Sequence, residues 1–151
     1  MLSDFIQYSE PLFRPPSEAR SLILQPTIGC SWNKCAFCEM YSSKKFQVRS
    51  QEEIFNEIEK LAPFSSQIRK VFLADGNAMV LPYDKLMLMV DKLVATFPKL
   101  NRISAYALPK DLDSKTESEL KSLADAGLNL LYTGIETGDD SLLKMINKGE
   151  T

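Results

Sequence analysis

Short apolar runs alternate with amphipathic stretches from residue 21 to the end of the chain. Ser21-Leu22-Ile23-Leu24-Gln25 reads as a strand running toward Ile28. Residues 50–61 read as a helix: Ser50 and Glu53 have the spacing of a capping box, Ile54, Ile58 and Leu61 share one face, and Pro63 ends the element. Val71-Phe72-Leu73-Ala74 is a second strand, closed by the turn residues Asp75-Gly76-Asn77. Residues 82–97 form the next helix, with Pro82 at a favoured first position and Leu86, Val90, Leu93 and Phe97 as its apolar stripe. Met87 and Met89 in that stretch read as core filler, since methionine packs irregular gaps. A third strand covers 103–108, followed by Pro109. Ser114 and Glu117 suggest a second capping box, opening a helix that runs to Ala126 and stops at Gly127. Residues 130–135 read as a fourth strand and 139–147 as a last helix, with Gly149 near its end. Residues 1–20 are irregular, interrupted by Pro11, Pro15 and Pro16, with at most a helical turn at 17–20.

The order is strand then helix, four times. Short connections between alternating elements imply parallel strands and right-handed crossovers. A doubly wound sheet and a (β/α) barrel both fit. No Gly-x-Gly-x-x-Gly follows the first strand, so a dinucleotide-binding fold is not supported. In a barrel, chemistry sits in the loops after the strands' C-terminal ends. Three polar clusters fall there: a cysteine loop after the first strand, Asp75-Gly76-Asn77 after the second, and Glu136-Thr137-Gly138 after the fourth.

Composition narrows the picture. At 151 residues, with 44% hydrophobic and 25% charged residues, the chain suits one ordinary globular domain. A net charge of −2 gives no nucleic-acid footprint, and the basic run Lys44-Lys45 with Arg49 reads as a solvated loop. No apolar stretch approaches the roughly 20 residues of a membrane span. The start, Met1-Leu2-Ser3-Asp4, lacks the pattern of a signal peptide. Clustered thiols without an export signal point to a reducing cytoplasm.

Cys30, Cys35 and Cys38 are the only cysteines, all within the stretch Gly29-Cys30-Ser31-Trp32-Asn33-Lys34-Cys35-Ala36-Phe37-Cys38. Thiolates select iron–sulfur clusters, zinc or copper(I). An odd count argues against a disulfide framework. Structural zinc wants four ligands from Cys and His, and this chain has no His. Three thiolates would leave one iron of a cluster without a protein ligand, an open position of the kind that reactive metal sites keep. An iron–sulfur cluster, zinc completed by a carboxylate or a partner chain, and unliganded thiols are the readings in play.

A strand followed by a cysteine triad, with an aromatic residue (Phe37) just before the last cysteine, resembles the radical S-adenosylmethionine enzymes. Their usual spacing is three residues then two; here it is four then two, which lengthens the first half of the loop. The chain is most similar to an Fe–S oxidoreductase subgroup with this longer loop. Thr133-Gly134-Ile135-Glu136-Thr137-Gly138-Asp139, followed by Leu142-Leu143 and Asn147-Lys148-Gly149, is similar to the fourth strand and helix of coproporphyrinogen-oxidase-like and methylthiotransferase-like members.

The resemblance implies a set of roles. Cys30, Cys35 and Cys38 would bind three irons of a 4Fe–4S cluster, and the fourth iron would chelate S-adenosyl-L-methionine. The backbone near Phe37 would lie against the adenine. Asp75, Gly76 and Asn77 occupy the place of the family's Gly-Gly-Glu loop near the methionyl ammonium, and Glu136 and Thr137 would face the ribose. Reductive cleavage would yield a 5′-deoxyadenosyl radical for hydrogen abstraction, with electrons from a flavodoxin- or ferredoxin-type donor and a substrate that is not readable. Members usually have about six strand–helix units, so residues 21–151 are expected to be the N-terminal part of such a barrel, α/β in class, with open edges that invite self-association. A non-catalytic module holding zinc or a cluster is the alternative.

Overall fold

The computed structural model describes residues 2–151. Strands β1 (Leu22–Leu24), β2 (Thr27–Ile28) and β3 (Gln47–Val48) precede helix α1 (Gln51–Lys60). Strand β4 (Lys70–Leu73), helix α2 (Tyr83–Thr96) and strand β5 (Arg102–Ala107) follow. Helices α3 (Pro109–Asp113) and α4 (Glu117–Ala126), strand β6 (Leu128–Thr133) and helix α5 (Asp140–Met145) complete the order. Among the described residues no helix is long and apolar enough to cross a membrane.

The main sheet has four parallel strands in the order β1-β4-β5-β6. Each new strand is added beside the last, always on the same side, and the direction never reverses. A doubly wound sheet requires a reversal at its switch point; a barrel does not. The fold is therefore mixed α/β with a singly wound parallel sheet, the arrangement of a partial (β/α) barrel.

One face of this sheet carries Leu22, Leu24, Val71, Leu73, Ile103, Ala105 and Leu128, packed against Ile54, Ile58, Leu86, Val90, Leu93 and Leu123 of the helices. Each fully buried aliphatic side chain contributes roughly 1.5–3 kcal/mol, so this layer is the main source of stability. The stripes expected for α1 and α2 face inward, with Ile58, Leu86, Val90 and Leu93 fully buried. Ser50 caps α1 through the reciprocal bonds with Glu53 that its spacing predicts.

The opposite, inner face carries Ile23, Phe72 and Ala74, with Tyr106 and Tyr132. Here the N-terminal segment does more than its irregular sequence suggests. Tyr8 and Leu12 pack on this face, and Glu18, fully buried, accepts from Arg102 Nη2 (2.8 Å), Tyr132 Oη (2.7 Å) and Ser21 Oγ. Three further expectations need correction. The second capping box is Thr116 with Glu119, because Ser114 ends α3 and donates its hydroxyl to Asp111 O. Pro109 opens α3, a helix that the sequence pattern does not place between the third strand and the next helix. β6 begins at Leu128, two residues earlier than the apolar run suggests, leaving Gly134 and Ile135 in the following loop.

Candidate metal and cofactor site

The cysteine loop leaves β1 and is clasped at its base by the antiparallel pair β2–β3, with Thr27 opposite Val48 and Ile28 opposite Gln47. Its three thiols are free and partly buried. The turn after β4 grips the first part of this loop residue by residue. Asp75, held at φ 64° with its carboxylate fully buried, accepts from Gly29 N (2.8 Å) and Lys44 Nζ (2.8 Å) on one oxygen and from Gln25 Nε2 (3.1 Å) on the other. Gly76 N donates to Gly29 O (3.0 Å), and a Cβ at Gly76 would overlap the Cα and Cβ of Cys30. Only glycine allows this approach. Asn77 Oδ1 accepts from Ser31 N (3.0 Å), while its amide donates to Ser31 Oγ (2.8 Å) and Asp111 Oδ2 (2.8 Å). Asp75-Gly76-Asn77 thus fixes Gly29-Cys30-Ser31 to the end of β4, and through Asp111 to α3.

These contacts occupy the side chains that the sequence assigns to the methionyl ammonium. Lys44 also departs from its solvated-loop reading: its ammonium is buried, paired with Asp75 and bonded to Ser9 O (2.7 Å). Arg49, from the same basic run, forms a two-pronged pair with Glu57 (2.6 and 3.1 Å).

The far half of the loop is held by the segment after α5. Ala36 N donates to Ile146 O (2.8 Å), Trp32 Nε1 to Asn147 O (2.7 Å), and Asn147 Nδ2 to Lys34 O (2.9 Å). Lys110 Nζ lies 4.5 Å from the Trp32 ring centroid, a cation–π distance. Gly149, at φ 75°, presses so close to the indole that a Cβ there would overlap it. Trp32 lies in the lengthened first half of the loop, which is thereby latched to residues 147–149. Nothing in the local sequence marked Trp32 or Asn147 for this role, since their partners lie more than a hundred residues away.

Lys148, almost fully buried, joins two of the expected cofactor contacts. Its Nζ is 3.2 Å from Glu136 Oε1 and 5.8 Å from the Phe37 ring centroid. Burial pushes the Cys35 thiol up; the nearby Lys148 ammonium pulls it back, while Cys30, Cys38 and Glu136 add to the rise. Phe37 keeps half its surface exposed, an open face for a flat ligand. Thr137 turns toward an open cleft of about 840 Å³ shared with Lys110, Ile135 and Gly149. The structure therefore gathers Phe37, Glu136 and Cys35 around Lys148, places Asp75, Gly76 and Asn77 beneath Cys30, and sets Thr137 on the adjoining cleft.

The donor set fits an iron–sulfur cluster. Three thiols project from one braced loop, with a buried ammonium near Cys35 to offset the negative charge of thiolates. Among the described residues no three Cys, Asp or Glu side chains converge to chelate a single ion. A cluster makes no such demand, because its thiolates bind separate irons.

A family model described as the radical SAM superfamily matches residues 24–151. The heme chaperone HemW of Bacillus subtilis (strain 168) is 24% identical over 119 residues, covering 79% of this chain; the chain spans 31% of that protein's length.

Proposed function

The chain belongs to the radical SAM superfamily, and from that premise we propose that Cys30, Cys35 and Cys38 hold a 4Fe–4S cluster whose fourth iron takes S-adenosyl-L-methionine. When bound and reduced, that pair supplies a 5′-deoxyadenosyl radical able to take a hydrogen atom from a substrate. The protein's part is to bind, orient and shield. Asp75, Gly76 and Asn77 act at one remove: they fix the backbone on either side of Cys30, so that its thiol is presented without searching. Phe37 offers its exposed face to the adenine, and Glu136, oriented by Lys148, presents a carboxylate to the ribose hydroxyls. Thr137 and the cleft beside it extend the same surface. Electrons would come from an external donor of the flavodoxin or ferredoxin type, and the setting would be the cytoplasm. This is oxidoreductase-like chemistry, with the substrate unassigned.

The observation that carries the proposal is the residue-by-residue grip of Asp75-Gly76-Asn77 on Gly29-Cys30-Ser31. A loop of ordinary structural cysteines needs no such bracing. The second reading, a metal-binding module without turnover, draws on the name of the Bacillus subtilis relative, a heme chaperone. Cluster formation is tested by anaerobic reconstitution with iron and sulfide, followed by metal analysis. Wild-type protein is expected to take up iron and sulfide in equal amounts, and Cys35→Ala to lose them, because two thiolates cannot hold three irons. Tight stoichiometric zinc with no iron uptake would overturn the proposal.

A further inference from the structure

The main sheet has two edges, and the fold closes only one of them. At β1, Leu24 O accepts from Ala74 N (2.8 Å), so Leu22 and Leu24 turn their backbone groups toward β4 while Ser21, Ile23 and Gln25 turn theirs outward. All three outward residues are engaged. Ser21 N donates to Glu18 O (3.0 Å), Ile23 O accepts from Tyr8 Oη (3.0 Å), and Gln25 O accepts from Arg49 Nη1 (3.2 Å). The N-terminal segment and the residue just past β3 thus seal this side.

β6 ends the sheet on the other side. Its pairing with β5 is regular from Leu130 to Thr133, and among the described residues nothing bonds to its far edge. Proteins usually guard such an edge with charge, proline or cover. Residues 127–135 contain neither a charged residue nor a proline. Leu130, Leu131 and Tyr132 are only partly buried, whereas Phe72, Leu73, Ile103 and Ala105 of the two central strands are fully buried. Beside β6 an apolar hollow of about 190 Å³ is lined by Leu120, Leu123, Leu128 and Leu131 among others.

We propose that β6 pairs antiparallel with β6 of a second copy of this chain, about a two-fold axis through Leu131. In that register the strand is complementary to itself. Leu131, which packs toward the helices, meets its own copy on the outer face. Tyr132 packs on the inner face, Leu130 shares its side by alternation, and the two lie opposite each other. Asn129 lies opposite Thr133, both polar and exposed. A charge on the axis would meet its like, and this uncharged strand carries no such penalty. The pairing joins two four-stranded sheets into one of eight and sets the two cysteine loops at opposite ends of it. Because the β1 edge is sealed, a third copy finds nothing to pair with, and association stops at a closed dimer.

The test uses the full chain without added metal. Sedimentation equilibrium over a micromolar concentration series should show monomer and dimer and nothing larger. Hydrogen exchange over the same series should show the β6 amides gaining protection as the dimer forms, with β1 unchanged. Leu131→Lys and Leu131→Glu, each checked for folding by circular dichroism, should weaken association by about tenfold or more when studied alone, because like charges meet on the axis. Mixed in equal amounts, the two variants should associate again, since opposite charges now face each other. A wild-type chain that stays monomeric, species larger than a dimer, or a mixture no stronger than its separate variants overturns the inference. Where a variant does not fold, exchange in the wild type decides alone: β6 protection that ignores concentration overturns it as well.

Discussion

Removing the Asp75 carboxylate is the sharpest perturbation the fold offers. Asp75→Ala deletes the acceptor of Gly29 N, Gln25 Nε2 and Lys44 Nζ together. The Lys44 side chain is 4% exposed and Asp75 is fully buried, so the ammonium would be left without its counter-ion in a site that water does not reach. Breaking a buried pair by removing one partner costs about 3–5 kcal/mol. For a chain of this size each kcal/mol lowers the melting temperature by about 2–4 °C. Asp75→Asn, which keeps the shape and one acceptor, should fall between Asp75→Ala and wild type. Adding Lys44→Met to Asp75→Ala should recover part of the loss, because the orphaned charge disappears. Urea unfolding of the apo protein, read by circular dichroism, measures all four proteins. Because the same carboxylate anchors the residue before Cys30, Asp75→Ala should also lose its reconstituted cluster faster than wild type. A loss below about 1 kcal/mol, with no recovery in the double variant, would refute this account of the buried pair.

Trp32 is the only tryptophan, so its emission reports the latch directly. Gly149→Ala should drive the indole out, shift the emission to the red and increase acrylamide quenching; an unchanged spectrum would contradict the close approach. Glu18 gives a pH prediction. Burial alone would raise its pKa, but hydrogen bonds from Ser21, Tyr132, Ser104 and Arg102 together outweigh burial and hold it below the usual carboxylate range. Its contribution is therefore complete above the ordinary value of about 4.3 and is lost as pH falls through the lower folded value. Unfolding measured from pH 6 downward should show a steeper acid loss for wild type than for Glu18→Gln, and parallel curves would count against this role.

Much of this architecture is legible in the chain. The stripes of α1 and α2 and the Ser50 cap follow from spacing alone, and so does the placing of three polar loops at one end of the sheet. What escaped has physical causes. β2 and β3 pair over two residues each, too short for any periodicity to register. Ser114…Glu117 and Thr116…Glu119 are capping patterns two residues apart, and only the presence of α3 decides between them. The start of β6 is set by pairing, since Leu128 sits opposite Ile103. In the site, the cysteines announce themselves, but polar residues on turns do not disclose their partners. That Asp75 and Asn77 brace Gly29 and Ser31 is invisible in the sequence because those partners lie 46 positions upstream. Lys44 reads as solvated for the same reason, its counter-ion being 31 residues away.

The central claim is that three braced cysteines leave one iron open for a cofactor. Titrating S-adenosyl-L-methionine into the anaerobically reconstituted, reduced full chain tests it most directly, with the cluster's electron paramagnetic resonance spectrum as readout. The account predicts a saturable change in the spectrum in wild type, absent in a Cys35→Ala sample treated the same way. A well-formed 4Fe–4S spectrum that stays unchanged at saturating cofactor would contradict it and favour a metal module without turnover.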